Sequence, residues 1–428
     1  MALAKAAEAR EMRSVIVFNS KPNVFLEHGI LKRARFTPLF LVLSLMALSM
    51  VACGGGGSSS SNASTSRITH RVLVSNSFQG ASTGALQIVD YSKDQLSTFQ
   101  MGCCVSWTRM LPSPDGTRTY AIEAPPNAPG IGIFDNASET KLGFMPTSST
   151  VSAFTTSSDN KFIYTAVRNG AASTGVPGTV EFADTTTSTL TVQNVPVPLA
   201  TNVVLSHNGS KLLVFSDQSD SVNIVDPVAK TATAVPGFDR PVTAFFTADD
   251  THAFVIDCGA ECGGTQAGVV VLDLTNPTAP LPAAVPVPAA TAALLDGNNL
   301  YLAGTAPTGG VLSFLTVSGN TVATNGAPVS IGDGFHQVLV TGDGKLFVGA
   351  RTCSTGCLTI VDLTSHAAVT DVQKGDVTGA TPIPNRHVFY VVEGGEVHIY
   401  DTTTNQEVPN VVIDIVGQAS DVLVIDKG

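Results

Sequence analysis

At 428 residues the chain could hold two or three domains, yet only 13% of it is charged and 43% is apolar. The formal charge of −11 is uneven: residues 1–52 carry seven Lys/Arg and three Glu, or +4, which leaves the remainder at −15. An acidic body excludes nucleic acid and an anionic membrane surface as direct electrostatic partners. Val, Thr, Ala, Ser and Gly dominate and helix-length patterns are few, which favours strands of small side chains.

The chain-order reading begins with an export signal. Lys32, Arg33 and Arg35 precede an uncharged run of 17 residues from Phe36 to Ala52. A basic stretch, an apolar core and small residues before a cut make a secretory signal peptide. Met50-Val51-Ala52-Cys53 resembles the lipobox of bacterial lipoproteins, with Met50 in place of the usual Leu. The resemblance implies that the Cys53 thiol receives a diacylglyceryl group and that cleavage makes Cys53 the new N-terminus. It also implies an outer-membrane destination, because no Asp follows Cys53. A membrane-spanning anchor is the other reading, but the run is short for a span and no charge follows it to stop transfer. Residues 54–66 are rich in Gly and Ser and read as a flexible tether. The chain therefore divides into a 1–52 extension and signal, a 53–66 lipidated Cys and tether, and a 67–428 body.

Within the body one pattern recurs about every 45 residues: a turn, a short apolar strand, a loop, and a second apolar strand ending in Asp. The endings are Asp90, Asp135, Asp184, Asp226, Asp273, Asp362 and Asp401; the repeat near Leu312–Leu315 lacks the Asp. Turns such as Ser113-Pro114-Asp115-Gly116 precede the first of these strands. The period predicts an all-β protein, a β-propeller of eight blades by repeat count, or seven if the sixth repeat is irregular. The first repeat begins at His70 with no room for an innermost strand upstream, and Asp421–Ile425 reads as an innermost strand with nothing after it. The C-terminal strand is therefore expected to close the ring. The Asp endings read as turn formers rather than catalytic acids.

Ser113-Pro114-Asp115-Gly116, Ile360-Val361-Asp362-Leu363-Thr364 and Ile399-Tyr400-Asp401-Thr402-Thr403-Thr404 resemble the repeat of the YVTN-type, lactonase-like propellers. The resemblance spans residues 67–428. It implies the fold; the family includes lactone hydrolases, surface-layer proteins and members without an assigned activity, and its typical member has seven blades.

Six further Cys follow Cys53. Cys258 and Cys262, and Cys353 and Cys357, sit in second-to-third-strand loops and read as two local disulfides in an oxidising compartment. Zinc is disfavoured by the spacing and by the lack of paired His. Adjacent Cys103 and Cys104 leave a vicinal bridge and two thiols equally open. No HxH, HxxxH or HExxH pair, Gly-x-Ser-x-Gly elbow or P-loop occurs, so no catalytic residue, metal or cofactor is assigned.

Counting back six residues from each turn Asp or its equivalent gives an inner-strand column: Asp421, Arg109, Ala153, Asn202, Thr243, Ala290, Gln337 and Gly379. His336 falls one step further back. Arg109, Asp421, His336, Asn202 and Gln337 are thereby candidates for ligand groups at one channel mouth. Asp421 and Arg109 could equally form an ion pair closing the ring seam. The expected function is an envelope-anchored binding scaffold for a protein or glycan. The alternative is a lactonase-like hydrolase working at the channel mouth.

Overall fold

A computed structural model describes residues 65–77, 83–124, 127–170, 177–187, 190–372 and 374–426. The signal segment, Cys53 and the tether up to residue 64 lie outside the described residues. Of the tether only its last two residues are described; the Ser66 backbone N–H donates to Glu139 Oε2 at 2.6 Å.

The body is an eight-bladed β-propeller of up-and-down antiparallel sheets, and blade 6 adds a fifth strand, Val329–Ile331. The inner strands, in blade order 1–8, are Gln418–Val424, Trp107–Pro112, Ala153–Thr156, Ala200–Leu205, Pro241–Phe246, Ala292–Asp296, Phe335–Gly342 and Val377–Pro382. Apart from a 3-10 turn at Gly259–Cys262, the described residues hold no helix.

Burial explains the apolar runs seen in sequence. Second and third strands are covered on both faces by the neighbouring blades, so Leu212–Ser216 and Gly84–Asp90 are buried throughout instead of alternating. The outer strand Thr231–Pro236 is almost wholly exposed. Eight separate apolar clusters result, each shared by two successive blades. Between blades 1 and 2, Leu73, Leu86 and Ile88 meet Trp107, Met110 and Phe134. Gly132 makes room for the Trp107 indole against the third strand, since a Cβ there would sit 2.6 Å from the ring.

Ring closure takes the expected form. Gln418–Val424 pairs antiparallel with Arg71–Ser77, placing the C-terminal strand innermost in blade 1. The ion pair that locks this seam is Arg71 with Asp426, not Arg109 with Asp421. Arg71 Nε and Nη2 reach Asp426 Oδ2 and Oδ1 at 2.8 Å each, and Nη1 reaches Glu139 at 3.0 Å. A second bidentate pair, Arg386 with Asp94 at 2.6 and 2.9 Å, joins blade 8 to blade 1. Planar guanidinium–carboxylate forks fix orientation as well as charge.

The Asp endings are turn formers. Asp90, Asp184, Asp226, Asp273, Asp362 and Asp401 each accept the backbone N–H two residues on, and Asp135 the one three residues on. In the sixth blade, where the Asp is missing, Ser318–Thr321 closes as a tight hairpin instead.

Deleting residues 419–428 removes the inner strand of blade 1 with Val422 and Ile425, both buried. Those two side chains alone are worth about 3–6 kcal/mol at roughly 1.5–3 kcal/mol each. The expected outcome is aggregation or loss of cooperative unfolding in urea; a truncated chain that melts like the full one would refute closure by this strand.

Candidate functional site

In an up-and-down blade the inner-to-second and third-to-outer turns share one face of the ring. The second-to-third loops and blade-to-blade connections share the other. The Asp turns occupy the first, or turn, face. The inner strands start at the second, or loop, face, and there the channel-mouth candidates gather.

Each inner strand carries an irregularity near its start. Register shifts occur in blades 1, 2, 4, 5, 7 and 8, and such bulges turn the next side chain aside. In blades 3 and 6, Ser152 and Thr291 occupy the same place, their N–H groups bonding Ala166 and Ala303. This common landmark corrects the column counted from the turns. The position after the bulge is Ala292 in blade 6 and Val338 in blade 7, not Ala290 and Gln337. Both blades use two-residue hairpins, with Asp296 paired to Asn299 and Gly342 to Lys345, so fewer residues separate bulge from turn.

The polar side chains of this ring tie blades together. Asp421 of blade 1 accepts the Met110 N–H of blade 2 at 2.7 Å. Asn202 Nδ2 of blade 4 donates to the Val242 carbonyl of blade 5 at 3.0 Å. Thr291 Oγ1 of blade 6 reaches the His336 carbonyl of blade 7 at 3.3 Å. Gln337 Nε2 of blade 7 donates to the Val377 carbonyl of blade 8 at 2.8 Å. Gly379 of blade 8 makes room for Asp421, since a Cβ there would lie 2.4 Å from Oδ1.

His336 does not join them. It is 1% exposed, in the buried column with Trp107, Ala200 and Val377, and its Nε2 donates to the Gly332 carbonyl at 3.0 Å. Burial pushes its pKa down to about 4, so it is a neutral imidazole. Trp107 is fully buried, donates to the Gly102 carbonyl and packs edge-on to Phe134. Arg109 is exposed and makes no hydrogen bond or ion pair with a described residue. It touches Asp421 only through its field, which lowers that carboxyl.

The two faces differ in electrostatics. Every turn-face Asp with a shifted titration is held low, most by hydroxyl and backbone N–H donors and Asp362 first by the Lys345 ammonium; Asp159 and Asp249 fall to about 2. On the loop face burial raises five carboxyls, Glu123, Glu261 and Glu393, with Asp421 reaching about 6 and Asp257 about 7, while Asp239, Asp333 and Asp371 of the blade connections are held low by their hydrogen-bond donors as on the turn face. The Met110 and Val422 N–H groups pull Asp421 the other way without overcoming burial. Glu123, Asp257 and Glu393 all end the second strand of their blades. Sequence reading missed them, although each closes a buried apolar run and so carries a detectable signal.

The same face holds the expected disulfides. Cys258–Cys262 and Cys353–Cys357 form, with Cα–Cα distances of 5.7 and 5.5 Å, each stapling a second-to-third loop. Cys103 and Cys104 lie where blade 1 passes into blade 2, half-buried and exposed respectively. Among the described residues no group of three His, Cys, Asp or Glu could hold a metal ion.

No protein-family model matches the chain, and no curated protein matches its sequence. Solved structures do. One is the dihydro-heme d1 dehydrogenase NirN in complex with DHE: TM-score 0.60 and 13% identity over 84% of this chain and 76% of that one. Another is the Pseudomonas aeruginosa periplasmic gluconolactonase PpgL: TM-score 0.51 and 17% identity over 84% of this chain and 99% of that one. At these identities the likeness is one of fold.

The two sets of carboxyls fix a pH optimum. Turn-face Asp groups contribute stability that is lost as pH falls through their depressed folded values, below the ordinary 3.8. Loop-face carboxyls oppose folding once they must ionise, so stability also falls as pH rises from about 4 through 6–7. His336 acts against this between 6.5 and about 4, one group against five. The urea midpoint is expected to peak at about pH 4.5, below neutrality. A midpoint still climbing at pH 7 would contradict the burial of these groups.

Proposed function

We propose that the chain is an exported, lipid-anchored β-propeller that uses its loop face to bind a protein or glycan. The observation that carries the reading is the use made of the channel-mouth side chains. Asp421, Asn202 and Gln337 each bond the backbone of the next blade, so they hold the ring open at fixed diameter. A partner then meets the loops around them, two of which are fixed by disulfides. Rigid loops lose little freedom on binding, which favours affinity. The lipobox at Met50–Cys53 supports anchoring to the bacterial envelope, with the outer membrane as the destination, and the acidic body is suited to standing off an anionic surface.

A hydrolase at the channel mouth is the second reading. Asp421, at about 6, changes protonation close to neutrality, and Arg109 stands exposed beside it. A base so poised suits activation of water. PpgL is a gluconolactonase of similar fold.

Two measurements test these readings. Cys53→Ala is expected to abolish labelling by a palmitate analogue; unchanged labelling would remove the lipid anchor from the proposal. Gluconolactone hydrolysis is expected to stay at the uncatalysed rate with and without divalent metal. Turnover above background that is lost on Asp421→Ala would put the hydrolase in place of the scaffold.

A further inference from the structure

Blade 6, the repeat without a closing Asp, is cut short at both of its turn-face corners. Gly297-Asn298 joins its inner and second strands and Gly319-Asn320 its third and outer strands, each as a two-residue hairpin. Blade 5 beside it keeps the longer turn at Thr247–Thr251, where Asp249 Oδ1 accepts the Thr247 and Thr251 hydroxyls at 2.7 and 2.9 Å. Long corners beside short ones leave a hollow, a cleft of about 710 Å³ lined by the four hairpin residues and by His207, Asp249 and His252. That size falls within the roughly 300–1,000 Å³ of small-ligand sites.

Proton counting fixes both imidazoles. The single Thr251 hydroxyl proton goes to the Asp249 carboxylate, so Thr251 Oγ1 accepts from His252 Nδ1, 2.8 Å away. His207 Nδ1 lies 2.7 Å from Asp250 Oδ1 and donates to it, since a carboxylate only accepts. Each neutral ring therefore keeps its lone pair at Nε2. His207 Nε2 and Asp249 Oδ2 have no hydrogen-bond partner among the described residues, and His252 Nε2 has only the Asn320 amide at 3.5 Å. These groups are within reach of a ligand: the His207 side chain is 62% exposed, Asp249 is exposed and His252 half-buried.

The free carboxylate oxygen and both imidazole nitrogens accept, and no Lys or Arg lines the cleft. A ligand that only donates fits them. Guanidinium carries five N–H donors in one plane and no acceptor, so it can address acceptors on blades 4 and 5 together, whereas an ammonium places three donors on one atom. Half-buried Leu295 offers an apolar ledge for the carbon stem. Acidity alone does not mark the place, because Asp115 and Asp159 make the same turn in blades 2 and 3. What marks it is a blade with two short corners beside two oriented imidazoles. We infer that this cleft binds a guanidinium group, on a small molecule or on an arginine side chain, between Asp249, His207 and His252. The site lies on the face opposite the one assigned to partner binding and goes beyond that reading.

The test uses the full chain in detergent, titrated calorimetrically with ethylguanidinium, agmatine, acetyl-arginine amide, butylammonium and glucose. Ethylguanidinium is expected to bind saturably, with a Kd of about 1 mM or tighter. Agmatine binding more tightly than acetyl-arginine amide would support the site and give it a free small molecule; the reverse order would support it and give it a protein side chain. Asp249→Asn and His207→Ala are each expected to weaken ethylguanidinium by about fivefold or more, the scale of an exposed charge pair. Asn keeps the turn, since Asn208 holds that place in blade 4 with its Oδ1 3.0 Å from Ser206 Oγ. Should Asp249→Asn still fail to fold, His207→Ala decides alone. Asp115→Asn removes the same charge from the same face away from the cleft and should leave binding unchanged. The inference falls if ethylguanidinium does not bind, if both cleft variants bind as tightly as the parent, if Asp115→Asn weakens binding as much as Asp249→Asn, or if butylammonium or glucose binds more tightly. A failed titration leaves the loop-face scaffold standing, whereas catalysis at Asp421 would overturn the scaffold without touching this cleft.

Discussion

The structure depends on one strand pairing. Residues 355 apart meet when Arg71 grips Asp426, and the inner strand of blade 1 is made from the last segment of the chain. A propeller blade is buried on both faces, so a ring with a gap has two apolar blade faces open to water at once. Closure removes both together, and it also removes exposed strand edges. The two arginine forks lie at this seam, where the interface cannot rely on chain continuity. Arg386 and Asp94 clamp blade 8 to blade 1 there. Elsewhere a covalent connection of a few residues brings each blade to the next.

The repeat was legible because blade packing imposes the same demand eight times. Buried second and third strands need apolar runs, and the third-to-outer turn needs an acceptor at its first residue, supplied by Asp in seven blades. Those two demands give the architecture and a count of eight blades, or seven with an irregular sixth repeat, while closure was read from the strands at His70 and Asp421–Ile425. The inner-strand column was legible only in part. Counting from the turn works where the turn is of the Ser113-to-Arg118 kind, in which Ser113 Oγ bonds Asp115 and receives the Arg118 N–H. It fails where Gly297-Asn298 and Asp343-Gly344 make two-residue hairpins, because an Asp-Gly pair occurs in both turn lengths at different places. Hence His336 was expected in the channel and lies buried between blades.

The roles of Asp421, Asn202 and Gln337 were hidden for a different reason. A polar residue on an inner strand can face a ligand or the next blade, and only the neighbour's backbone decides which. The same holds for the loop-face carboxyls. Asp90 and Asp257 both end strands after apolar runs, yet Asp90 meets the Ser92 N–H and hydroxyl while Asp257 lies between Pro241 and Gly268. Local sequence supplies the first pair of donors and can be read. The second environment comes from strands that sequence does not place side by side.

Closure by the final strand also sets an order in time. A ribosome adding roughly 5–20 residues per second needs about 20–70 s to travel from Arg71 to Asp426. Throughout that interval Arg71–Ser77 has its third-strand partner but lacks its inner one. Blades 2 to 7 can stack on one another as they emerge, because each of their cores is shared only with a neighbour. Blade 1 must wait with an apolar edge bared until Gln418–Val424 arrives. Nascent chains of this protein therefore live longest in the state most open to mispairing, and their fate is decided when Gln418–Val424 reaches Arg71–Ser77.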